Sequence, residues 1–226
     1  PEVVTQLHRD FVHAGSDVVE AFTYYAHREK LRQLGKEELL EQMNRQALRI
    51  AKEVARETNT LLAGNICNTN AYIEGDADSP KIVRAMFDEQ LEWAIDAGVD
   101  FIIAETFEFS GEAKIALEAI KKTNLPAVVT LVIYRKGVTR EDISPQDTCK
   151  QLEDAGADVV GLNCARGPNT MLPLLGSICE AVTCPVAALP VPYRTKDTEP
   201  TFQSLRDTAC NCIPEDRPFP VALDPF

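Results

Sequence analysis

Short, continuous apolar runs alternate along this chain with longer stretches in which apolar positions recur every three to four residues. The runs Asp17 to Phe22, Thr60 to Ile66, Asp100 to Ala104, Ala127 to Ile133, Asp158 to Leu162 and Val186 to Val191 read as strands covered on both faces. Helical periodicity fills the intervals at Lys36 to Thr58, Pro80 to Ala97, Gly111 to Lys122, Pro145 to Ala155 and Thr170 to Val182, with a further helix at Val3 to His13 before the first run.

The joints between these elements repeat. Ala14-Gly15-Ser16-Asp17, Ala97-Gly98-Val99-Asp100 and Ala155-Gly156-Ala157-Asp158 each close a helical stretch and open an apolar run. Glycine just past a helix reaches the left-handed region without a Cβ clash, so the phrase marks a helix stop feeding a buried strand. Ser79-Pro80 and Ser144-Pro145 read as helix starts, the serine capping free amides and the proline occupying the first turn, with Asp147 adding favourable charge after the second.

Strict alternation of β and α implies a parallel sheet with right-handed crossovers. No G-x-G-x-x-G or G-x-x-x-x-G-K-[ST] follows any strand, so the dinucleotide and P-loop sheets lack their phosphate cradle. Polar residues at the ends of several strands fit a (β/α)₈ TIM barrel, whose chemistry sits at the C-terminal strand tips. Six strands leave such a barrel two short.

At 226 residues, without low-complexity stretches, residues 1–226 read as one domain. The formal charge of −12 argues against nucleic acid or an anionic membrane surface, leaving small molecules as the expected partners. No run approaches a membrane span and no secretory pattern opens the chain, which predicts a cytoplasmic protein. The seven scattered cysteines predict reduced thiols. A start at Pro1 leads to the expectation of a longer protein.

The strand ends carry the candidate chemistry. Cys164, in Gly161-Leu162-Asn163-Cys164-Ala165-Arg166-Gly167, is placed as a zinc ligand or nucleophile, or as a small buried hydrophobe. Glu105, after Phe101-Ile102-Ile103-Ala104, can bind an amino group, serve as acid or base, or pair within the barrel. Phe22-Thr23-Tyr24-Tyr25 offers aromatic faces to a quaternary ammonium, or simply packs the core; neighbours on a strand face opposite ways, so one tyrosine is expected to point inward. Cys210-Asn211-Cys212 lacks a second metal-binding pair, Cys67 ends a strand, and of the histidines clustered at His8, His13 and His27 the first two lie five apart on a helix and do not share a face.

Three separated segments carry a resemblance. Gln6-Leu7-His8-Arg9-Asp10-Phe11 through Tyr24-Tyr25-Ala26, Asp100 through Glu108, and Ala155 to Cys164, together with the closing Phe219-Pro220 to Pro225, resemble the homocysteine S-methyltransferase family and, within it, the betaine-using branch. The resemblance implies a zinc-dependent (β/α)₈ barrel of which this sequence shows strands 2–7. It also implies transfer of a methyl group from betaine to homocysteine, giving methionine and dimethylglycine. Cys164 matches the first of three zinc-binding cysteines. The other two belong to a Gly-Gly-Cys-Cys-Gly motif absent from this sequence, as is the Asp-Gly-Gly motif of the family's first strand.

Glu105 matches the glutamate that binds homocysteine and is the expected catalytic carboxylate. Tyr25 matches the tyrosine that contacts betaine, beside Tyr24. Thr23 and Asn163 complete the expected substrate contacts, and Thr106 stands where betaine users often carry tyrosine. The family also implies self-association into a homo-oligomer. Alternatives are another donor, such as S-methylmethionine, a different onium compound or a folate, and a catalytically silent homologue that acts as a binding partner.

Overall fold

The computed structural model describes residues 1–204; Cys210, Cys212 and the Phe219 to Pro225 segment lie outside them. Six parallel strands hydrogen-bond in sequence order: β1 (Val18–Glu20), β2 (Leu61–Cys67), β3 (Phe101–Phe107), β4 (Ala127–Leu131), β5 (Val159–Asn163) and β6 (Val186–Leu189). A doubly wound sheet would reverse strand order partway, whereas unbroken order with a helix between successive strands is the arc of a barrel. The fold is α/β, a curled half-barrel consistent with a partial TIM barrel.

The helices are α1 (Glu2–His13), α2 (Arg28–Gln33), α3 (Leu40–Thr58), α4 (Ser79–Ala97), α5 (Ser110–Lys121), α6 (Pro145–Asp154) and α7 (Pro168–Ala181). All six expected strands and all six expected helices are present, with shifted ends. β3 runs on to Phe107, so Glu105 and Thr106 lie within the strand instead of following it. The short α2 escapes sequence reading because six residues are too few to show a period.

Ser144 caps α6 as expected, its Oγ accepting from Asp147 N at 3.1 Å. Ser79 does not cap α4. Asp76 Oδ1 accepts from Asp78 N and Ser79 N, and the Ser79 hydroxyl turns to the backbone of Ile73. A carboxylate in the preceding turn outcompetes the hydroxyl for amides at the positive end of the helix.

At the repeated joints, Gly98 closes α4 at φ 75°, and Gly15 and Gly156 also have positive φ. The aspartates of the phrase have their own task. Asp100 Oδ2 accepts from Leu62 N at 2.7 Å and Asp158 Oδ2 from Ala127 N at 2.8 Å, each carboxylate tying the start of its strand to the preceding one. Between sheet and helices lies the core, with Phe87, Ile102, Phe107, Leu117, Ile120, Leu152 and Leu162 fully buried. Covered on that side, the sheet turns its other face, with the side chains of Glu20, Asn65 and Glu105, toward the inside of the arc.

Candidate functional site

Parallel register places the polar residues of neighbouring strands in one layer. Cys67 of β2 lies opposite Glu105 of β3, and Asn65 opposite Ile103, so Asn65 sits one pleat below Glu105 on the same face. Asn65 Nδ2 donates to Glu105 Oε1 at 2.7 Å and to Glu20 Oε1 of β1 at 2.7 Å. From the other side, Asn163 of β5 donates through Nδ2 to Glu105 Oε2 at 3.0 Å and to Thr106 Oγ1 at 2.6 Å, while its Oδ1 accepts from Thr130 Oγ1 of β4 at 3.0 Å. The array runs unbroken across five strands.

Above this layer opens a cavity of about 400 Å³, lined by Glu20, Ala21, Phe22, Tyr24, Asn65, Glu105, Thr106, Asn163 and Cys164. Its volume falls in the range of small-molecule sites. Of the residues expected to form the site, Tyr24, Glu105, Asn163 and Cys164 line it. Tyr25 stands behind Tyr24, their rings 4.4 Å apart, with Lys30 Nζ 5.2 Å from the Tyr25 ring. Thr23 is buried, its hydroxyl donating to Asn65 O at 2.9 Å, so it ties the segment after β1 to β2 and does not line the cavity.

Glu20 and Asn65 did not emerge from the sequence as site residues. Their signal is the one that marked Glu105: a polar side chain interrupting an apolar run near a strand's end.

The backbone is strained where the cavity opens. Tyr25 (φ 59°), Thr106 (φ 65°) and Cys164 (φ 61°) all occupy the left-handed region, at or just beyond the ends of β1, β3 and β5. Non-glycine residues adopt it at a cost, and such residues gather at functional sites. Pairing between β3 and β4 shifts register between Ala104 and Phe107, so Thr106 sits in a bulge that re-aims the strand tip. Beyond Cys164, the buried Arg166 fastens the loop through Nε to Ile133 O at 2.8 Å and Nη2 to Tyr134 O at 2.6 Å.

Burial dominates the electrostatics. It pushes Glu20 up to about 7, with Glu105 adding like-charge repulsion, and holds Glu105 above the usual carboxylate range. It also raises the Cys164 thiol, which therefore stays protonated in the absence of a compensating cation.

Cys164 is the one thiol lining the cavity, and no group of three or more His, Cys, Asp or Glu among the described residues could hold a metal ion. The five cysteines among the described residues are free. No helix among those residues is long and apolar enough to cross a membrane.

Comparison with known proteins places this geometry in context. The family model described as homocysteine S-methyltransferase matches residues 1–211. Betaine–homocysteine S-methyltransferase 1 of Danio rerio is 36% identical over 227 residues, covering 100% of this chain and 55% of the relative. S-methylmethionine–homocysteine S-methyltransferase of Pongo abelii is 39% identical over 172 residues, covering 76% of this chain and 45% of the relative. The chain thus spans about half the length of these relatives. Among solved structures, the homocysteine methyltransferase MmuM of Escherichia coli in its metallated form superposes with a TM-score of 0.72 at 18% identity, covering 83% of this chain and 71% of that one, a likeness of fold.

Proposed function

The chain belongs to the homocysteine S-methyltransferase family, and we propose that it is the substrate-binding part of an enzyme that methylates homocysteine with betaine as donor. The observation that carries this reading is that one cavity is lined by Glu105, Asn163 and Cys164, a carboxylate and a thiol at two strand tips, with the Asn163 amide donating to the carboxylate. The relatives named above support it.

Glu105, its oxygens held by Asn65 and Asn163, would receive the ammonium group of homocysteine in a fixed direction. Tyr24 would present its ring to the onium donor, with Tyr25 supporting it from behind. Fixing both substrates converts a bimolecular encounter into an oriented one. In the reaction the homocysteine sulfur forms a bond to a betaine methyl carbon as that carbon leaves nitrogen. The nitrogen keeps the electron pair, and the thiol proton ends on dimethylglycine.

Zinc enters this reading through Cys164, taken as the one ligand the described residues supply. A tetrahedral zinc site takes four ligands. The described residues alone do not fit the ion, and what this chain is assigned is substrate binding and orientation.

The test uses the full-length protein with homocysteine and methyl-labelled betaine or S-methylmethionine, following labelled methionine by mass spectrometry. Label arriving from betaine supports the proposal. Label arriving only from S-methylmethionine moves the donor assignment to the activity named for the Pongo abelii relative. No transfer from either donor overturns the enzymatic reading.

A further inference from the structure

Glu20 has no part in the reading above, yet it faces the same cavity as Glu105 and shares a hydrogen-bond donor with it. Asn65 Nδ2 lies 2.7 Å from Glu20 Oε1 and 2.7 Å from Glu105 Oε1, so both carboxylates lie within reach of a single small cation. Ala21, Phe22, Tyr24, Asn65, Thr106, Asn163 and Cys164 complete the lining, and none of them is cationic. Two half-buried carboxylates held this close are unfavourable unless a proton or a positive ligand compensates them.

A second observation indicates which kind of ligand. Asn65 is 5% exposed and its Oδ1 is buried with no hydrogen-bond partner among the described residues. The amide's donors are spent on the two carboxylates, and what stands unfilled around the pair is acceptor capacity. A quaternary ammonium or sulfonium carries no N–H to fill it. A primary ammonium carries three donors.

We propose that Glu20 is the second carboxylate of a clamp on the ammonium group of the amino-acid substrate, with Asn65 as the strut that spaces it from Glu105. The proposal rests on the reading of this cavity as a homocysteine site. It makes Glu20 a specificity-determining residue, selecting thiols that carry an amino group over those that do not. The raised protonation of Glu20 agrees with a site that holds a proton when empty and exchanges it for the ligand's positive charge.

The experiment is calorimetric binding to the full-length protein of L-homocysteine and of 4-mercaptobutanoate, which keeps the thiol and the carboxylate and lacks the amino group. The two ligands are compared on the wild type and on Glu20→Gln. The expected result is that Glu20→Gln weakens homocysteine about tenfold, the loss of one charge-assisted hydrogen bond, and leaves 4-mercaptobutanoate within about twofold. The desamino thiol thereby also reports that the variant is folded. Equal weakening of both ligands assigns Glu20 to structure and overturns the clamp, as does no change in either, while the homocysteine reading stands. A wild type that does not bind homocysteine overturns that reading and the clamp with it.

Discussion

Asn163 clasps Thr106 at both ends: its Oδ1 accepts from Thr106 N at 2.9 Å and its Nδ2 donates to Thr106 Oγ1 at 2.6 Å. The residue so held is β-branched and sits at φ 65°, a conformation it would not keep unaided. One amide therefore fixes the bulge at the tip of β3 and, through its contact with Glu105, the direction of the carboxylate beside it. Strain at the strand tip and aim of the Glu105 carboxylate have a common support.

Replacing Asn163 with alanine should release both. Thr106 N is buried with this side chain as its acceptor, and an orphaned buried amide plus the lost bonds costs about 2–4 kcal/mol. We expect chemical denaturation to show that loss. On the proposed reading of the cavity, homocysteine affinity should fall more than tenfold as Glu105 loses one of its two props.

Glu20→Gln should stabilise the substrate-free protein, and increasingly so as pH rises. The carboxyl titrates near 4.5 when unfolded and near 7 when folded. Above pH 4.5 the native state thus binds more protons than the unfolded one, and stability is lost as pH climbs through 7. Glutamine removes that loss. The difference between variant and wild type should grow from near zero at pH 4.5 to about 2–3 kcal/mol at pH 8, read by urea denaturation. A difference flat with pH would show that Glu20 does not titrate in this range.

The parts of this fold that sequence made legible are those specified locally. A glycine stop and an apolar run are read within a few residues, so the Ala-Gly-x-Asp joints located β1, β3 and β5 without knowledge of their neighbours. Glu105 and Cys164 stood out because each ends such a run. Glu20 interrupts one, but its meaning depends on Asn65, 45 residues away, which in turn reaches Glu105 40 residues further on. No local pattern encodes that bridge. The same holds for Asp100 and Asp158, whose carboxylates serve the strand next door and not their own. Thr23 belongs to the motif that resembles the family's donor site, and its hydroxyl donates to the backbone of β2, a partner 42 residues away that no local pattern encodes.

His27 should give the protein an acid limb. Its neutral ring caps α2, Nδ1 accepting from Lys30 N at 3.3 Å, and burial pulls its pKa from 6.5 down to about 4. The unfolded state therefore binds the proton first as pH falls, and stability present above pH 6.5 is lost progressively down to pH 4, by about 3 kcal/mol at most. His27→Asn, which can cap but cannot titrate, should flatten that limb in melting curves taken between pH 7 and 4.

Gly161 and Gly176 should respond to alanine with opposite signs. A Cβ at Gly161 in β5 would lie 2.0 Å from Ala187 O and 2.8 Å from Ala187 N, against the backbone of β6, which has no flexible end to give way. The strands must then separate where Gly161 pairs with Ala187, two residues before Asn163 and three before Cys164, whose N–H donates to Leu189 O of β6 at 3.0 Å. We expect Gly161→Ala to cost about 3 kcal/mol or more and to disturb the cavity wall at Asn163 and Cys164. Gly176 is exposed inside α7, and a Cβ there meets nothing within 4 Å. Alanine at that position only restricts the unfolded chain and favours the helix, so Gly176→Ala should gain about 0.5–1 kcal/mol. Thermal denaturation of the two variants side by side checks both signs, and a neutral Gly161→Ala would show that β6 does not pack against β5 as described.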